Sequence, residues 1–284
     1  MTLRVLLVPD ISNPGARDAA VQLIAWLTAQ GVTAVAEAGD AAALGMPDVG
    51  VSAANLGELE LVVALGGDGT ILKAVHLLGE STVPVLGVKF GRLGFLSGAR
   101  ADTMREAVTA ALAGEVSLEH RSTLRAEVHM DGRCVGSYLA LNEVALARGS
   151  SGRVVSFALS VDGHHVMRTR ADALIASTAT GSTAYALSAG GPILHPSVRG
   201  IVVLPVAPHT LAARAMVTGP SSTIEIELPE AARSDACIVV DGDVKPCRQA
   251  IERVVITQGA HDVALVKLEG RDFYETVASE FFGG

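Results

Sequence analysis

LVVALGGDGTILKAV, residues 61–75, decides how the rest of the chain is read. A short apolar run stops at two glycines, an aspartate and a third glycine, and a helical pattern follows at once. An unbroken apolar run is what a parallel strand covered on both faces looks like. A strand running straight into a helix is the start of a βαβ unit. Glycine reaches backbone angles closed to other residues and lets a ligand approach the main chain. The carboxyl end of such a strand is where open α/β sheets bind ligands. The next helix aims free N–H groups and a partial positive charge at the same spot. Phosphate suits this turn. Asp68 suits it only with a task, either taking a proton from an attacking hydroxyl or helping to hold Mg²⁺. The plain alternative is that Asp68 is a helix N-cap. The turn matches neither GxxxxGK[ST] nor GxGxxG. Lys73, one turn into the helix, either reaches over the turn or lies in solvent.

The same alternation extends over the first hundred residues. Residues 3–8 form an apolar run ending at Pro9. Asn13-Pro14 opens a helix with Ala20, Leu23, Ile24 and Leu27 on one face and Gly31 at its end. Residues 32–36 and 83–88 read as strands, and 71–78 and 102–113 as helices. Segment 40–57, rich in Ala and Gly, has the composition of a flap. From 117 to 268 the chain breaks into short Val-, Leu-, Ile- and Thr-rich runs: 124–128, 135–141, 154–161, 201–206, 224–228, 238–240 and 263–268. Asp131-Gly132, Asp162-Gly163 and Asp241-Gly242 read as hairpin turns. The tail, 271–282, is helical, with Phe273, Val277, Phe281 and Phe282 on one side. The expected fold is an α/β N-terminal domain with an open parallel sheet and an all-β C-terminal domain. The first takes residues 1–116 with 269–284, and the second takes 117–268.

A chain of 284 residues makes one large domain or two modest ones. Apolar residues are 49% but aromatics only 4%, so Val, Leu, Ile and Ala must fill the core. A net charge of −8 argues against the basic stripe of a nucleic-acid binder. Any anionic ligand must then be held by local groups against the global field. Cys134, Cys237 and Cys247 lie far apart, with no CxxC and no His pair beside them. They read as ordinary reduced thiols, with no zinc site expected. The first apolar run is too short for a signal peptide, and no stretch approaches the roughly 18 apolar residues of a membrane span. The expectation is a soluble cytoplasmic protein without a nucleic-acid or membrane partner.

Two further constellations carry chemistry. Thr178-Ala179-Thr180-Gly181-Ser182-Thr183-Ala184-Tyr185 is followed by Ser188-Ala189-Gly190-Gly191-Pro192. Hydroxyls and free backbone N–H groups are what a phosphate or ribose needs. A Ser/Thr-rich turn is the bland alternative. Asn142-Glu143 offers an amide beside a carboxylate, able to read an adenine edge or ribose hydroxyls, or else it is a strand-end turn. Arg170 and Asp172 alternate onto one face of a strand, as a site or as a surface ion pair.

Taken together, these segments resemble the ATP-NAD kinase family. GGDGT stands at 66–70, GVKFGRLGFL at 87–96, NE at 142–143, TATGSTAYALSAGGP at 178–192, PVAPHTL at 205–211 and VDGD at 240–243. GGDGT alone is shared with diacylglycerol kinases, sphingosine kinases and phosphofructokinases, and TxTGSTAYxxSAGGP with NE upstream is far more specific. The resemblance implies an α/β domain holding GGDGT, an all-β domain, and a last helix returning to the first. It implies phosphoryl transfer from ATP to the 2′-hydroxyl of the adenosine ribose of NAD, giving NADP and ADP. It also implies a divalent metal, usually Mg²⁺, and a homodimer or homotetramer. In this resemblance Asp68 is the proton acceptor, and Gly67 and Gly69 keep the turn open. Asn142 and Glu143 hold the adenosine part of NAD. Arg170 and Asp172 lie near the nicotinamide side and a neighbouring subunit's site. Thr180 belongs to the same hydroxyl-rich stretch, whose Thr183, Ala184, Tyr185 and Ser188 line the dinucleotide site. Lys73, Arg153, Ala207 and Asp243 stand where the family often touches the nucleotide.

The chain departs from the family in places. Ala179 replaces the proline of TPTGS, Asp172-Ala173 replaces DG, Lys89 replaces a frequent asparagine, and Asp243 stands for a frequent glutamine. A carboxylate cannot donate the hydrogen bond that an amide can. Two rival readings remain at this level: a lipid kinase of the diacylglycerol type, and a dinucleotide sensor without chemistry. The hydroxyl-rich stretch and the lack of a basic amphipathic helix speak against the first. The intact Asp68 speaks against the second.

Overall fold

The computed structural model describes residues 3–91, 94–149, 152–210, 212–246, 250–268 and 272–283. Arg92 and Leu93 of GVKFGRLGFL, Leu211, Cys247 and Arg271 lie outside the described residues. The chain forms two compact units, Met1–His120 with Val263–Gly284, and Arg121–Asp262. The sequence boundaries at 116/117 and 268/269 differ from these by a few residues. No helix among the described residues is long and apolar enough to cross a membrane.

The chain starts with β1 (Arg4–Pro9), α1 (Pro14–Ala29), β2 (Thr33–Glu37), α2 (Ala38–Ala43), β3 (Gly50–Val51), β4 (Leu61–Gly66) and α3 (Asp68–Leu78). It continues with β5 (Val85–Lys89), β6 (Ala99–Arg100), α4 (Met104–Ala113) and β7 (Ser117–Arg121). The second unit holds β8 (Leu124–Met130), β9 (Arg133–Ala140), β10 (Glu143–Arg148), β11 (Val155–Val161), β12 (His164–Ala171) and β13 (Ala173–Ser177). A 3₁₀ turn (Thr180–Thr183) and α5 (Tyr185–Ser188) follow, then β14 (Val202–Val206), β15 (Met216–Val217), β16 (Ile224–Glu227), β17 (Ala236–Val240), β18 (Asp243–Lys245) and β19 (Arg253–Gln258). The chain returns to the first unit as β20 (Val263–Lys267) and α6 (Phe273–Phe281).

In the first unit the Asn13 side chain caps α1 by accepting from the Ala16 N–H at 3.2 Å, with Pro14 in the first turn. Ala16, Ala20, Leu23, Ile24 and Leu27 are buried along one face of α1. Gly31, past the helix end, takes the left-handed φ of 74°. The strand order is β3-β2-β1-β4-β5-β20-β7, with β6 also on β5. β1 pairs in parallel with β2 and β4, and β5 in parallel with β4 and β20. Every residue of β4 is buried, as its apolar run requires. The order reverses between β1 and β4, so the carboxyl ends of these two strands flank the topological switch point.

One expectation changes. Residues 263–268 read as part of the all-β half, yet Val263–Lys267 is a strand of the parallel sheet. Segment 40–57, whose composition suggests a flap, has regular structure. It supplies the end of α2 and β3, which pairs with β2 at the sheet edge.

The second unit is built of two antiparallel six-stranded sheets, ordered β15-β14-β13-β10-β17-β18 and β12-β11-β16-β19-β8-β9. Leu146, Leu174, Val203 and Ile238 from the first share one core with Ala126, Phe157, Ile226 and Val254 from the second. Ala145, Ile175, Val202 and Leu204 cluster with Ala186 of α5, so the first sheet is also covered on its other face. Asp131, Asp162 and Asp241 have φ of 48°, 51° and 49°, each followed by a glycine at positive φ. These are hairpin turns of the kind that Asp-Gly favours.

Candidate active site

Asp68 is not an N-cap. Gly67 occupies the cap position with an extended backbone and no side-chain bond, and Asp68 is the first residue of α3. A carboxylate there gains from the helix's positive end. The Lys89 Nζ at the end of β5 donates to the Asp68 Oδ1 at 3.4 Å. The Asp68 Oδ2 takes no hydrogen bond among the described residues, and the side chain is 36% exposed.

The glycines have separate reasons. A Cβ at Gly66 would collide with Thr70 Oγ1 and stand 2.8 Å from the Asp10 Cβ. A Cβ at Gly94 would lie 2.5 Å from the Asp68 Oδ1. A Cβ at Gly69 would meet nothing within 4 Å. Gly66 is required by its packing on Thr70 and Asp10, and Gly94 leaves room for the Asp68 carboxylate; neither had a role in the sequence reading. Gly69 faces open space.

A cavity of about 480 Å³ opens at the switch point, lined by Pro9, Asp10, Ile11, Ser12, Asp40, Gly67, Gly69, Thr70 and Lys73. The Lys73 Nζ lines it but donates to both carboxylate oxygens of Asp40, at 2.7 and 2.8 Å. Asp40 is buried at 6% exposure. Lys73 is thus not a lone solvated lysine. The Asp10 Oδ1 accepts from the Ser12 N–H at 3.0 Å and from its hydroxyl at 2.6 Å. The sequence reading missed Asp10 and Asp40. The available signal was an acid directly after the Pro9 strand end.

In the second unit the Asp241 carboxylate organises the chain ahead of β10. It accepts the backbone N–H groups of Leu141 (2.8 Å), Asn142 (2.7 Å) and Glu143 (3.0 Å). The Asn142 carbonyl accepts from the Thr178 N–H at 2.9 Å and the Ser177 hydroxyl at 3.1 Å. The Asn142 side chain makes no hydrogen bond among the described residues. Glu143 is buried, and its Oε2 has no partner there. Burial chiefly, and the Asp241 charge secondarily, raise its carboxyl from 4.5 to about 7, against the opposing pull of the Tyr185 backbone N–H.

Much of the hydroxyl crowd at 178–183 is structural. The Thr178 hydroxyl donates to the Leu141 carbonyl at 2.6 Å and accepts from the Gly181 N–H at 3.1 Å. The Ser182 hydroxyl donates to the Ala179 carbonyl at 2.6 Å and accepts from the Leu194 N–H at 2.9 Å. The Thr180 hydroxyl accepts from Arg121 at 3.3 Å, and Thr183 donates to the Thr180 carbonyl at 3.2 Å. A Cβ at Gly181 would collide with the Asn142 carbonyl, which makes this glycine obligatory. Ala184 joins the 3₁₀ turn to α5, and Tyr185 and Ser188 remain exposed beyond it.

Arg170 and Asp172 do not share a strand face. Asp172 sits at the bend where the chain passes from β12 in one sheet to β13 in the other. It pairs with Arg148 at 3.3 Å instead. Arg170 lines a second cavity of about 590 Å³ with Arg168, His209 and Arg233. Ala207 holds a left-handed φ of 46°, rare for alanine. Arg153 lies exposed before β11, and Asp243 is exposed at the start of β18 with Lys245 at 3.6 Å.

Comparison with known proteins agrees over both units. The ATP-NAD kinase N-terminal domain matches residues 5–116, and the ATP-NAD kinase C-terminal domain matches residues 141–268. The chain is similar to the NAD kinase of Citrifermentans bemidjiense, 35% identical over 284 residues and covering 99% of each chain. It is 37% identical to that of Aromatoleum aromaticum over 273 residues, 95% of this chain and 90% of the relative. Among solved structures, yeast NADH kinase complexed with NADH superimposes with a TM-score of 0.89 at 26% identity, covering 99% of this chain and 88% of that one. An NAD kinase from Archaeoglobus fulgidus in complex with ATP gives 0.75 at 25% identity, covering 98% and 99%. With both halves matched in order and whole-length relatives above a third identity, the chain belongs to the ATP-NAD kinase family.

Proposed function

We propose that the chain transfers the terminal phosphoryl group of ATP to the 2′-hydroxyl of the adenosine ribose of NAD, with Asp68 as the proton acceptor. The new P–O bond forms at the ribose oxygen, the bond to the β-phosphate oxygen breaks, and ADP and NADP leave. Phosphoryl transfer asks the protein for positioning, charge stabilisation and one proton acceptor. One observation carries the assignment: Asp68 keeps an unbonded, partly exposed carboxylate oxygen at the opening of α3, with a lysine ammonium beside its other oxygen. In this reading Asn142 and Glu143 bind the adenosine part, supported by their free amide and carboxyl oxygen. Thr180, Thr183, Ala184, Tyr185 and Ser188 shape the dinucleotide site through backbone and ring more than through threonine hydroxyls. Lys73, Arg153, Arg170, Asp172, Ala207 and Asp243 are contacts of the same proposal.

Mg²⁺ is the proposed divalent metal. Hard oxygen donors suit it, usually one or two carboxylates with substrate phosphates completing the shell. The Asp10 Oδ2 fits that requirement, since it lies at the cavity and takes no hydrogen bond among the described residues. When bound, the ion neutralises charge on the phosphates. A homodimer or homotetramer and a cytoplasmic location complete the proposal.

The test is incubation of purified chain with NAD, ATP and Mg²⁺, with NADP read by an NADP-specific dehydrogenase and Asp68→Asn run alongside. NADP from the parent and little from the variant supports the reaction and the base. NAD binding without turnover overturns the kinase in favour of a sensor.

A further inference from the structure

We propose that the β8–β9 hairpin binds a borderline-soft divalent transition metal, of the Zn²⁺ class, through Glu127, His129 and Cys134. Side chains two apart on a strand share a face, which places Glu127 beside His129 on β8. Cys134 on β9 lies directly opposite His129 in the antiparallel register. The register then skips Val135, so Val128 faces Gly136, and the bulged Val135 points out at 52% exposure. Bulges of this kind re-aim neighbouring side chains. The ligand atoms of Glu127, His129 and Cys134 all lie within 4.8 Å of one another. Tetrahedral zinc holds N, O and S ligands at about 2.0–2.3 Å, so modest side-chain rotation closes the set around one ion.

A second observation points the same way. The His129 Nε2 is buried and has no hydrogen-bond partner among the described residues. It lies 3.9 Å from the Glu127 Oε2, too far to bond and a suitable span for two ligands of one metal. An orphaned buried ring nitrogen calls for an ion or a water. The Cys134 thiol donates to the Gly136 carbonyl at 3.6 Å and gives up that proton on ligation.

Neighbouring charges moderate the site without blocking it. Arg253 approaches the His129 Nδ1 at 3.5 Å, a loose contact, and is held by Glu225 at 3.2 Å. Arg125 stands 3.6 Å from Glu127 and is 44% exposed. Thiolate and imidazole select against Mg²⁺ and Ca²⁺, which separates this site from phosphoryl transfer. Three protein ligands leave a fourth position for water. The spacing E-x-H-x₄-C has no CxxC, so cysteine spacing alone gives no sign of it and the sequence reading expected none.

The test uses the full, tag-free chain after dialysis against chelator. Zn²⁺ is titrated against a competing indicator, and Co²⁺ is added separately to record its thiolate charge-transfer absorption. The expected result is one Zn²⁺ per chain and a clear Co²⁺–thiolate band. Cys134→Ser abolishes the band. Cys134→Ser and His129→Gln each weaken Zn²⁺ binding by more than about 10-fold, since even an outer partner of a metal ligand is commonly worth that much. Cys237→Ser keeps both signals, and circular dichroism shows all three variants folded. No saturable binding in the parent, or binding and band unchanged in Cys134→Ser, overturns the site.

Discussion

Lys89 Nζ stands 3.4 Å from Asp68 Oδ1, while another lysine–aspartate pair of this unit, Lys73 and Asp40, closes to 2.7 and 2.8 Å on both oxygens. The difference is functional in the proposed reaction. Lys73 engages both Asp40 oxygens and holds that carboxylate in place, whereas the Asp68 Oδ2 takes no hydrogen bond among the described residues and is open to a hydroxyl. The ammonium beside it also supplies positive charge in a chain whose net charge is −8. Local charge of this kind is what an anionic substrate needs against an unfavourable global field.

Asp68→Asn is expected to keep NAD binding and to lower kcat by about 10²–10⁴, the usual contribution of a general base. Calorimetry with NAD and steady-state kinetics separate the two effects. Parent-like turnover would remove Asp68 from the proton transfer.

Gly94→Ala is expected to leave the fold intact and to push the Asp68 carboxylate aside, because the new Cβ would lie 2.5 Å from its Oδ1. A side-chain end can move where backbone cannot, so melting changes little. Misplacement by about 1 Å costs on the order of 100-fold in rate. A normal kcat in a folded Gly94→Ala would show that the carboxylate position is not critical.

Asn142→Ala is expected to raise KM for NAD more than it lowers kcat. The side-chain amide has no protein partner among the described residues, so its loss costs the fold little. An unchanged KM would make the residue structural.

Asp241→Ala removes the acceptor for the Leu141, Asn142 and Glu143 N–H groups. The expected loss is about 2–4 kcal/mol of stability, since charge-assisted bonds are lost and backbone donors are left without partners. Urea unfolding of parent and variant measures it.

Glu143→Gln is expected to reduce the pH dependence of stability. The folded chain holds this acid at about 7, against an ordinary value of 4.5. Folding thus favours the protonated form. At pH below 4.5 both states are protonated and nothing is lost. As pH rises towards 7 the unfolded chain ionises first, and stability falls until the folded group ionises too. At about 1.4 kcal/mol per pKa unit the loss is on the order of 3 kcal/mol. Urea midpoints at about pH 5 and pH 8 should therefore fall further apart for the parent than for the variant.

The parallel sheet was legible because β1, β4 and β5 are short apolar runs, with β1 ending at Pro9 and β4 at Gly66 before a helix start. β10 escaped notice because EVALAR shows no alternation, and the structure covers that sheet on both faces, with Ala145 and Ala186 in a second cluster. The sheet to which VALVK belongs cannot be read locally, because an apolar pentapeptide looks the same in either. Asp68 stands out from its place in the glycine turn, while the proposed roles of Asn142 and Glu143 come from the family resemblance, the pair alone reading equally as a strand-end turn. The hydroxyls of Thr178 and Ser182 misled for a physical reason. Ser and Thr satisfy tight turns as readily as ligands, and only the approach of Gly181 to the Asn142 carbonyl reveals which they do here. Asp10 had a local signal in its place directly after the Pro9 strand end, but the pairing of Asp40 with Lys73 depends on a chain crossing that no local pattern encodes.

β20 lies between β5 and β7 in the sheet, although more than half the chain separates it from β5 in sequence. During synthesis the first seven strands leave the ribosome without the partner that joins β7 to the rest. The parallel sheet therefore stays open until the intervening sandwich has been made. That sandwich is pinned where it begins and ends, by the Thr123 hydroxyl donating to the His261 carbonyl at 2.8 Å. Closing the sandwich first brings β20 within reach and shortens the effective loop that the sheet must close, which lowers the entropy cost of its last pairing. A nascent chain stalled before residue 263 would leave the Val85 end of β5 unpaired, with β6 covering only Val88 and Lys89, and such an open edge invites pairing between chains.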